Sequence, residues 1–243
     1  MGKLTNISWC DSTWNPWQGC LKVSPGCDNC YAESLSKRWG RDFSNIHRSA
    51  PATFNMPLRL TEPLRVFTCS MSDFFIRQAD PWRAEAWEIM RRTPHLTYQV
   101  LTKRPGRAVA WHEAHGWLPN VWLGTSVESA RYLPRLDVLA RVPAPVRFVS
   151  AEPLLGPLDV RPWLGELCGE PCECRMPLDG KFIDWVIVGG ESGPVHRPMQ
   201  VLWAQDIADQ CKAAGVACFI KQDSGLRPGQ QGRLFRREAV AQL

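Results

Sequence analysis

The sequence lacks long hydrophobic runs, and this absence limits where the protein can work. No apolar run in the 243 residues approaches the roughly 18 residues that a transmembrane helix needs. The segment from Met1 to Asn6 also lacks the apolar core of a secretory signal peptide. We therefore expect a cytoplasmic protein that does not associate with membranes. In that reducing compartment, clustered cysteines indicate metal ligands or catalytic thiols before they indicate disulfides.

Internal repeats and low-complexity linkers are also missing, and the charge balance is only mildly basic. The chain is 44% apolar and 22% charged, which is ordinary for a globular protein and excludes general disorder. A formal net charge of +5 permits an anionic partner such as nucleic acid but does not require one. The chain is instead rich in cysteine and tryptophan, with ten and twelve residues, and some of the indoles could stack on flat ligands.

Short apolar runs alternate with helix-like stretches through most of the chain. Runs that are apolar on both faces are typical of buried parallel strands, so the alternation predicts an α/β fold. Six such units after an N-terminal unit indicate a partial or complete (β/α) barrel that spans residues 1–243 as a single domain. A doubly wound open sheet is the alternative, but no Gly-x-Gly-x-x-Gly follows a first strand. The predicted strands are 65–70, 97–101, 121–125, 146–150, 184–188 and 216–220, and the predicted helices are 81–92, 104–115, 129–141 and 201–214.

Polar and charged residues are concentrated where the predicted strands end. In a parallel barrel these ends share one rim, and active sites lie at that rim. The alternative is that strand ends are polar because they are exposed to solvent. The number of such positions favours an active site. The residues are Ser70, Ser72, Asp73, Thr102, Lys103, Arg104, Ser126, Glu128, Glu152, Glu191, Lys221 and Gln222.

Three cysteines near the N-terminus form the densest chemical signal in the sequence. Cys20, Cys27 and Cys30 have the spacing Cys-x6-Cys-x2-Cys, in a segment that Pro25 and Gly26 turn, and we predict a cluster-binding loop over residues 8–31. A cubane iron–sulfur cluster accepts three cysteines and leaves its fourth iron open to another ligand. Zinc normally takes four protein ligands, and Cys10 could complete such a set.

This loop resembles the cluster loop of radical S-adenosylmethionine enzymes. The whole chain resembles a phage- and bacteria-borne branch near that superfamily, with the same Cys-x6-Cys-x2-Cys loop. It departs from the superfamily in the first spacing, which is usually three residues, and in Asn29, where an aromatic residue usually stands. The resemblance is carried by residues 8–16, 70–73, 101–105, 150–155, 189–193 and 221–222.

The resemblance implies an enzyme that holds a [4Fe–4S] cluster on Cys20, Cys27 and Cys30 and binds S-adenosyl-L-methionine. It would receive an electron from a flavodoxin- or ferredoxin-like donor, cleave the cofactor reductively and abstract hydrogen from a substrate with the 5′-deoxyadenosyl radical. The reaction class, whether lyase, isomerase or base-modifying, stays open. A pyrimidine base in DNA or a nucleoside is the expected substrate, for repair or modification. The alternative is a zinc-stabilised nucleic-acid-binding protein without catalysis.

The resemblance also suggests roles for the rim. Gly189-Gly190-Glu191 is similar to the element that holds the cofactor's amino group, although its late position leaves substrate contact as an alternative. Asp73 lies beside two phenylalanines, an apolar environment that would raise a carboxyl pKa and suit acid–base chemistry. Helix caps and rim ion pairs are the structural alternatives. We expect cofactor contacts from Ser72, Asp73, Lys103, Ser126, Glu128, Glu152, Gly189, Gly190, Glu191 and Arg197, and catalytic roles for Asp73, Glu152 and Lys221.

A second group of cysteines and a basic tail complete the candidates. Cys168, Cys172 and Cys174 lie in a predicted insertion over residues 164–181, and they could bind zinc, an auxiliary cluster or nothing. We predict that residues 226–243 form a basic C-terminal tail. We assign the remaining cysteines of strand and helix runs to the core, namely Cys69, Cys211 and Cys218.

Overall fold

A computed structural model describes residues 5, 7–165 and 182–229. Cys168, Cys172, Cys174 and nearly all of the predicted insertion and tail lie outside these residues. The chain divides into two compact units, the first comprising Met1–Gly124 and Val142–Pro145 and the second comprising Thr125–Arg141 and Val146–Leu243. Among the described residues, no helix combines the length and apolarity that crossing a membrane would require.

Parallel strands form the centre of each unit. In the first unit the hydrogen-bonded strand order is β1-β4-β5-β6, and in the second it is β7-β8-β9. A two-stranded antiparallel ribbon, β2-β3, belongs to the first unit. The predicted α/β class with a partial (β/α) barrel of parallel strands is confirmed. The strands are β1 (Ser12–Trp14), β2 (Trp17–Gln18), β3 (His47–Arg48), β4 (Arg65–Thr68), β5 (Thr97–Thr102), β6 (Val121–Ser126), β7 (Arg147–Ala151), β8 (Trp185–Gly189) and β9 (Ala217–Gln222).

The strands form because their residues bury both faces. Every residue of β7 and β8 is buried, which is the pattern expected for strands covered by helices on parallel sheets. In the first unit, Val66 of β4 lies between Ser12 of β1 and Tyr98 of β5 in parallel register. The helices are α1 (Tyr31–Arg38), α2 (Pro51–Phe54), α3 (Asp80–Arg92), α4 (Pro105–His115), α5 (Pro134–Leu139) and α6 (Val201–Ala213).

Two predicted helix starts are wrong, and each has a physical reason. The helix predicted over residues 129–141 is reduced to α5, because Pro134 lacks an amide donor and a proline suits the first turn of a helix. A single 3₁₀ turn, Ala130–Tyr132, precedes it. The helix predicted over residues 81–92 begins one residue earlier, at Asp80, whose carboxylate binds the guanidinium of Arg107 at 2.6 Å. Gly215 follows α6 with a positive φ of 62°, in line with the predicted helix end.

Candidate functional site

The chain that carries Cys20 is held from both sides. The Cys20 amide donates to the carbonyl of Phe43 at 2.8 Å, and the Ser72 hydroxyl donates to the Gly19 carbonyl at 2.5 Å. Gly19 has a φ of +90°, and a Cβ there would lie 2.7 Å from the Asn45 carbonyl oxygen. Only glycine fits this close approach. Ser72, an expected cofactor contact, therefore supports the cysteine loop.

Local turns place the other two cysteines. Cys27 ends a 3₁₀ turn, and its amide donates to the Ser24 carbonyl at 2.9 Å. Cys30 immediately precedes α1, and its carbonyl accepts the Ser34 amide at 3.0 Å. The helix start thus fixes the third cysteine of the loop.

All three cysteines line one cavity of about 270 Å³. Their thiols are free, and three soft thiolate donors fit a cubane cluster with one open iron. Within the described residues, no group of three or more His, Cys, Asp or Glu side chains, the loop cysteines included, is arranged so that it could hold a metal ion. The cavity wall consists of Cys20, Leu21, Lys22, Cys27, Cys30, Glu33, Lys37, Arg41, Asp42, Phe43 and Ser44.

Cys10 is not part of this wall. It is buried, and its thiol donates to the Ile7 carbonyl at 3.8 Å. The alternative of a zinc site requires Cys10 as the fourth ligand of the loop cysteines, so the geometry does not favour that alternative.

The Cys20 thiol lies in an environment that opposes its ionisation. Burial raises its pKa to about 11, and the negative charge of Asp73 acts in the same direction. The guanidinium of Arg104, which contacts the thiol, has the opposite effect. Cys20 is therefore protonated at neutral pH in the metal-free protein, and binding a metal through it releases a proton.

Asp73 is a saturated hydrogen-bond acceptor. Its carboxylate receives the Thr102 hydroxyl at 2.7 Å and the amides of Phe75 at 2.9 Å and Lys103 at 3.0 Å. Arg104 donates to it through Nη1 at 2.7 Å. The expectation of a carboxylate set against an apolar wall is therefore wrong, because polar groups from β5 and the loop after it surround the buried oxygens. Lys103 contributes its backbone amide to this cluster.

Arg104 connects this carboxylate to the cysteine loop. Its Nη2 donates to the Leu21 carbonyl at 2.8 Å while Nη1 binds Asp73. Arg104 is among the predicted strand-end residues but not among the predicted cofactor or catalytic residues. Its position between Lys103 and Pro105, directly after β5, is the sequence signal for this contact. The guanidinium holds the residue after Cys20 against the end of the sheet in the first unit.

In the second unit, Glu191 is paired with Arg197. The buried Glu191 carboxylate accepts hydrogen bonds from Arg197 Nη2 at 2.6 Å, from Arg197 Nε at 3.1 Å and from the Arg197 backbone amide at 2.8 Å. Bidentate pairs of this kind are among the strong charge-assisted contacts. Both residues were expected to contact the cofactor, and here each already has the other as a partner.

A second ion pair lies at the ends of β7 and β9. Lys221 Nζ is 2.6 Å from Glu152 Oε1, with about a fifth of each side chain exposed. Gly189 and Gly190 allow their backbone to lie close to the Glu152 side chain and the Ser224 backbone. A Cβ on Gly189 would lie 3.1 Å from Glu152 Cδ, and one on Gly190 would lie 2.2 Å from the Ser224 amide nitrogen. The two glycines thus have a packing role in this unit.

Glu128 differs from the other carboxylates because half of it is unsatisfied. Its side chain is fully buried, and Oε2 binds Arg135 Nη1 at 2.9 Å. Its Oε1 has no hydrogen-bond partner in the described part of the chain. The same Arg135 nitrogen donates to the Ser126 carbonyl at 2.7 Å. A buried carboxylate oxygen without a donor is costly, so this atom fits a ligand hydroxyl.

The chain matches the family model described as "Protein of unknown function (DUF5131)" over residues 4–241. It belongs to the DUF5131 family. No curated protein matches the chain, and no solved structure does either. The DUF5131 match includes the cysteine loop and the strand ends of both units.

The structure thus brings the predicted residues of this DUF5131 chain into two separate sets. In the first unit, the three loop cysteines line one cavity, with Ser72, Asp73 and the Lys103 amide supporting the loop and the neighbouring strand end. In the second unit, the acids lie in ion pairs. Of the three cysteines predicted to lie in the core, Cys69 and Cys211 are buried and Cys218 is half-buried.

Proposed function

We propose that this protein is a cytoplasmic radical S-adenosylmethionine enzyme with one [4Fe–4S] cluster on Cys20, Cys27 and Cys30. The observation that supports this most is the cavity that these three free thiols share. When bound, the cluster and S-adenosylmethionine supply a 5′-deoxyadenosyl radical that removes hydrogen from a substrate. A flavodoxin- or ferredoxin-like protein would supply the electron.

The residues of the first unit would position the cluster. Three thiolates would hold three irons, which leaves the fourth iron for the cofactor. Arg104 keeps the loop next to Cys20 in place through its contacts with Asp73 and the Leu21 carbonyl. Lys37 and Arg41 bring positive charge to the cavity wall, where they would attract a carboxylate or phosphate.

The residues of the second unit would serve the cofactor and the substrate. The unpartnered Oε1 of Glu128 would accept a hydrogen bond from a ribose hydroxyl. Glu191 would receive an ammonium group alongside Arg197, on either cofactor or substrate. The Glu152–Lys221 pair would exchange a proton with the substrate, because a carboxylate and an ammonium at 2.6 Å provide both a base and an acid. The proposed substrate is a pyrimidine base in DNA or a nucleoside.

Anaerobic reconstitution tests this proposal directly. We expect brown protein with about four irons per chain and broad absorption near about 400 nm. With a strong reductant, it should cleave S-adenosylmethionine to 5′-deoxyadenosine. A colourless protein with one tightly bound zinc ion would refute the proposal, as would a complete cluster that cleaves no cofactor.

A further inference from the structure

One tryptophan is exposed beside the cysteine loop. All twelve tryptophans lie in the described part of the chain. Trp39 has 52% of its surface exposed, and the other eleven are buried or half-buried. It directly follows α1, and its amide donates to the Ser36 carbonyl at 3.0 Å. The backbone of Trp39 is therefore fixed at a helix end, and its indole is presented to solvent, where a flat ligand can stack on it.

Positive charge surrounds this indole. The guanidinium of Arg41 lies over the ring, 5.4 Å from its centroid. Arg41 and Lys37 also line the cysteine cavity, and Arg38 is exposed in the last turn of α1. The cations thus connect the exposed indole to the wall of the cavity that holds the thiols.

Few acids offset these cations. Glu33 is shared by two lysines, with its oxygens 2.8 Å from Lys37 Nζ and 3.1 Å from Lys22 Nζ. The Asp42 carboxylate accepts the Ser44 amide at 2.8 Å. Around the cavity and α1, four basic side chains outnumber three acidic ones, and the surface favours an anionic ligand. The basic residues are Lys22, Lys37, Arg38 and Arg41, and the acids are Asp28, Glu33 and Asp42.

We propose that this surface, defined by Lys37, Arg38, Trp39 and Arg41, binds single-stranded nucleic acid. One base stacks on the Trp39 indole, and the basic side chains contact backbone phosphates, which is how aromatic and basic groups together bind single strands. Because Lys37 and Arg41 also line the cysteine cavity, the strand passes along that cavity. The inference rests on the proposed function only in naming its substrate class, a base within a strand. An acidic electron-donor protein would use the same charges but does not require an exposed stacking surface.

Binding of a labelled oligonucleotide tests the stacking contact. A fluorescein-labelled oligothymidylate of about twelve nucleotides, and an oligouridylate of the same length, are titrated with the full chain and followed by anisotropy. Trp39→Ala should weaken oligothymidylate binding about 5- to 150-fold, whereas Trp39→Phe should retain most of it. Competition by inorganic polyphosphate, which has charge but no bases, should be unchanged by Trp39→Ala. The half-buried Trp203 of α6 provides the matched control, and Trp203→Ala should bind like the wild type.

The salt dependence tests the phosphate contacts. Arg41→Gln and Lys37→Gln should each reduce the slope of log affinity against log salt by about 0.7, the value for one single-strand phosphate contact. Arg92→Gln, which removes an exposed cation from the last turn of α3, should leave the slope unchanged. The difference between oligothymidylate and oligouridylate identifies DNA or RNA as the preferred strand.

Three results would overturn the inference. These are a wild-type chain that does not bind the oligonucleotides, a Trp39→Ala variant that binds them normally, and a Trp39→Ala variant that loses only reduction by an acidic flavodoxin-type protein. Iron content and absorption near about 400 nm, measured on each variant, separate this from the proposed function. Binding by iron-free protein that depends on Trp39 supports the inference even where no cluster forms. A complete cluster without strand binding overturns the inference alone.

Discussion

The cysteine cavity of the first unit and the strand-end acids of the second unit have different electrostatic arrangements. In the second unit, each of the acids Glu128, Glu152 and Glu191 is paired with a cation 2.6–2.9 Å away. In the first unit, three free thiols line an open cavity whose wall carries Lys22, Lys37 and Arg41. The thiols of the first unit are open to a ligand. In the second unit, each acid must exchange its cation, or share it, before a ligand can bind.

The largest effect should come from removing a loop thiol, which disrupts the cysteine cavity of the first unit. Cys20→Ala, Cys27→Ala and Cys30→Ala should each abolish cluster assembly, because under the proposed function each thiolate is a covalent ligand that the loop cannot replace. Iron analysis and absorption near about 400 nm on anaerobically reconstituted protein measure this. Cys69→Ala and Cys218→Ala should keep full iron content. A loop variant that still binds about four irons would disprove the ligand assignment.

Gly190→Ala should cause the largest loss of stability in the second unit. The new Cβ would lie 2.2 Å from the Ser224 amide nitrogen, a backbone atom that cannot rotate away. We expect a loss of about 3 kcal/mol in the free energy of unfolding, seen as a lower midpoint in thermal or urea unfolding. Gly106→Ala in α4 is the matched control, because no atom lies within 4 Å of its added Cβ. Equal stability of Gly190→Ala and Gly106→Ala would contradict this contact.

Glu191→Gln sharpens the comparison by removing one charge from a paired site. A hydrogen bond to an ammonium contributes roughly 1.5–3 kcal/mol, so S-adenosylmethionine affinity should fall about ten- to a hundredfold while iron is retained. Isothermal titration on reconstituted protein measures the affinity. Arg197→Met keeps the carboxylate and should preserve more affinity. Unchanged affinity in Glu191→Gln with lost substrate turnover would assign Glu191 to the substrate.

Breaking the Glu152–Lys221 pair should have a small effect on folding. About a fifth of each side chain is exposed, so Lys221→Met should cost about 1 kcal/mol or less, and high salt should reduce the difference. Urea unfolding at low and high salt provides the measurement. A loss of several kcal/mol would show that this pair behaves as a buried one. A catalytic role predicts in addition that Lys221→Met loses turnover while its stability is nearly normal.

The smallest effect should come from Glu33 in the cysteine region. Its hydrogen bond with Lys37 lowers its pKa below the usual 4.5, with burial opposing and Lys22 assisting. A lowered folded-state pKa stabilises the protein above pH 4.5, and this stability is lost as the pH falls through the folded-state value. Glu33→Gln should therefore cost about 0.5 kcal/mol or less at neutral pH. The difference from wild type in urea midpoint should vanish in acid, and a difference that grows in acid would contradict the sign.

The sequence predicted the architecture more completely than the environments of the site residues. Apolar runs located the six later strands to within two residues, because burial on both faces leaves a local signal. The three-residue strand β1 was not assigned to the sheet, since its partner Val66 lies 54 positions after Ser12. The pairing of Glu152 with Lys221 spans 69 residues and depends on the register of β7, β8 and β9. The saturation of Asp73 likewise depends on the end of β5, which the neighbouring phenylalanines do not indicate.

The pairing of β1 with β4 has a consequence for the order of folding. It joins residues 54 positions apart, and Cys20, Cys27 and Cys30 all lie within the chain segment that this pairing closes. Contacts of such sequence separation form after their loop-closure entropy has been overcome, which slows them relative to local helices. During synthesis, the loop containing Cys20 therefore cannot reach its final geometry until β4 and the Met71–Ser72 turn have left the ribosome. Under the proposed function, loading of the cluster would then be a late event that follows the assembly of the first unit.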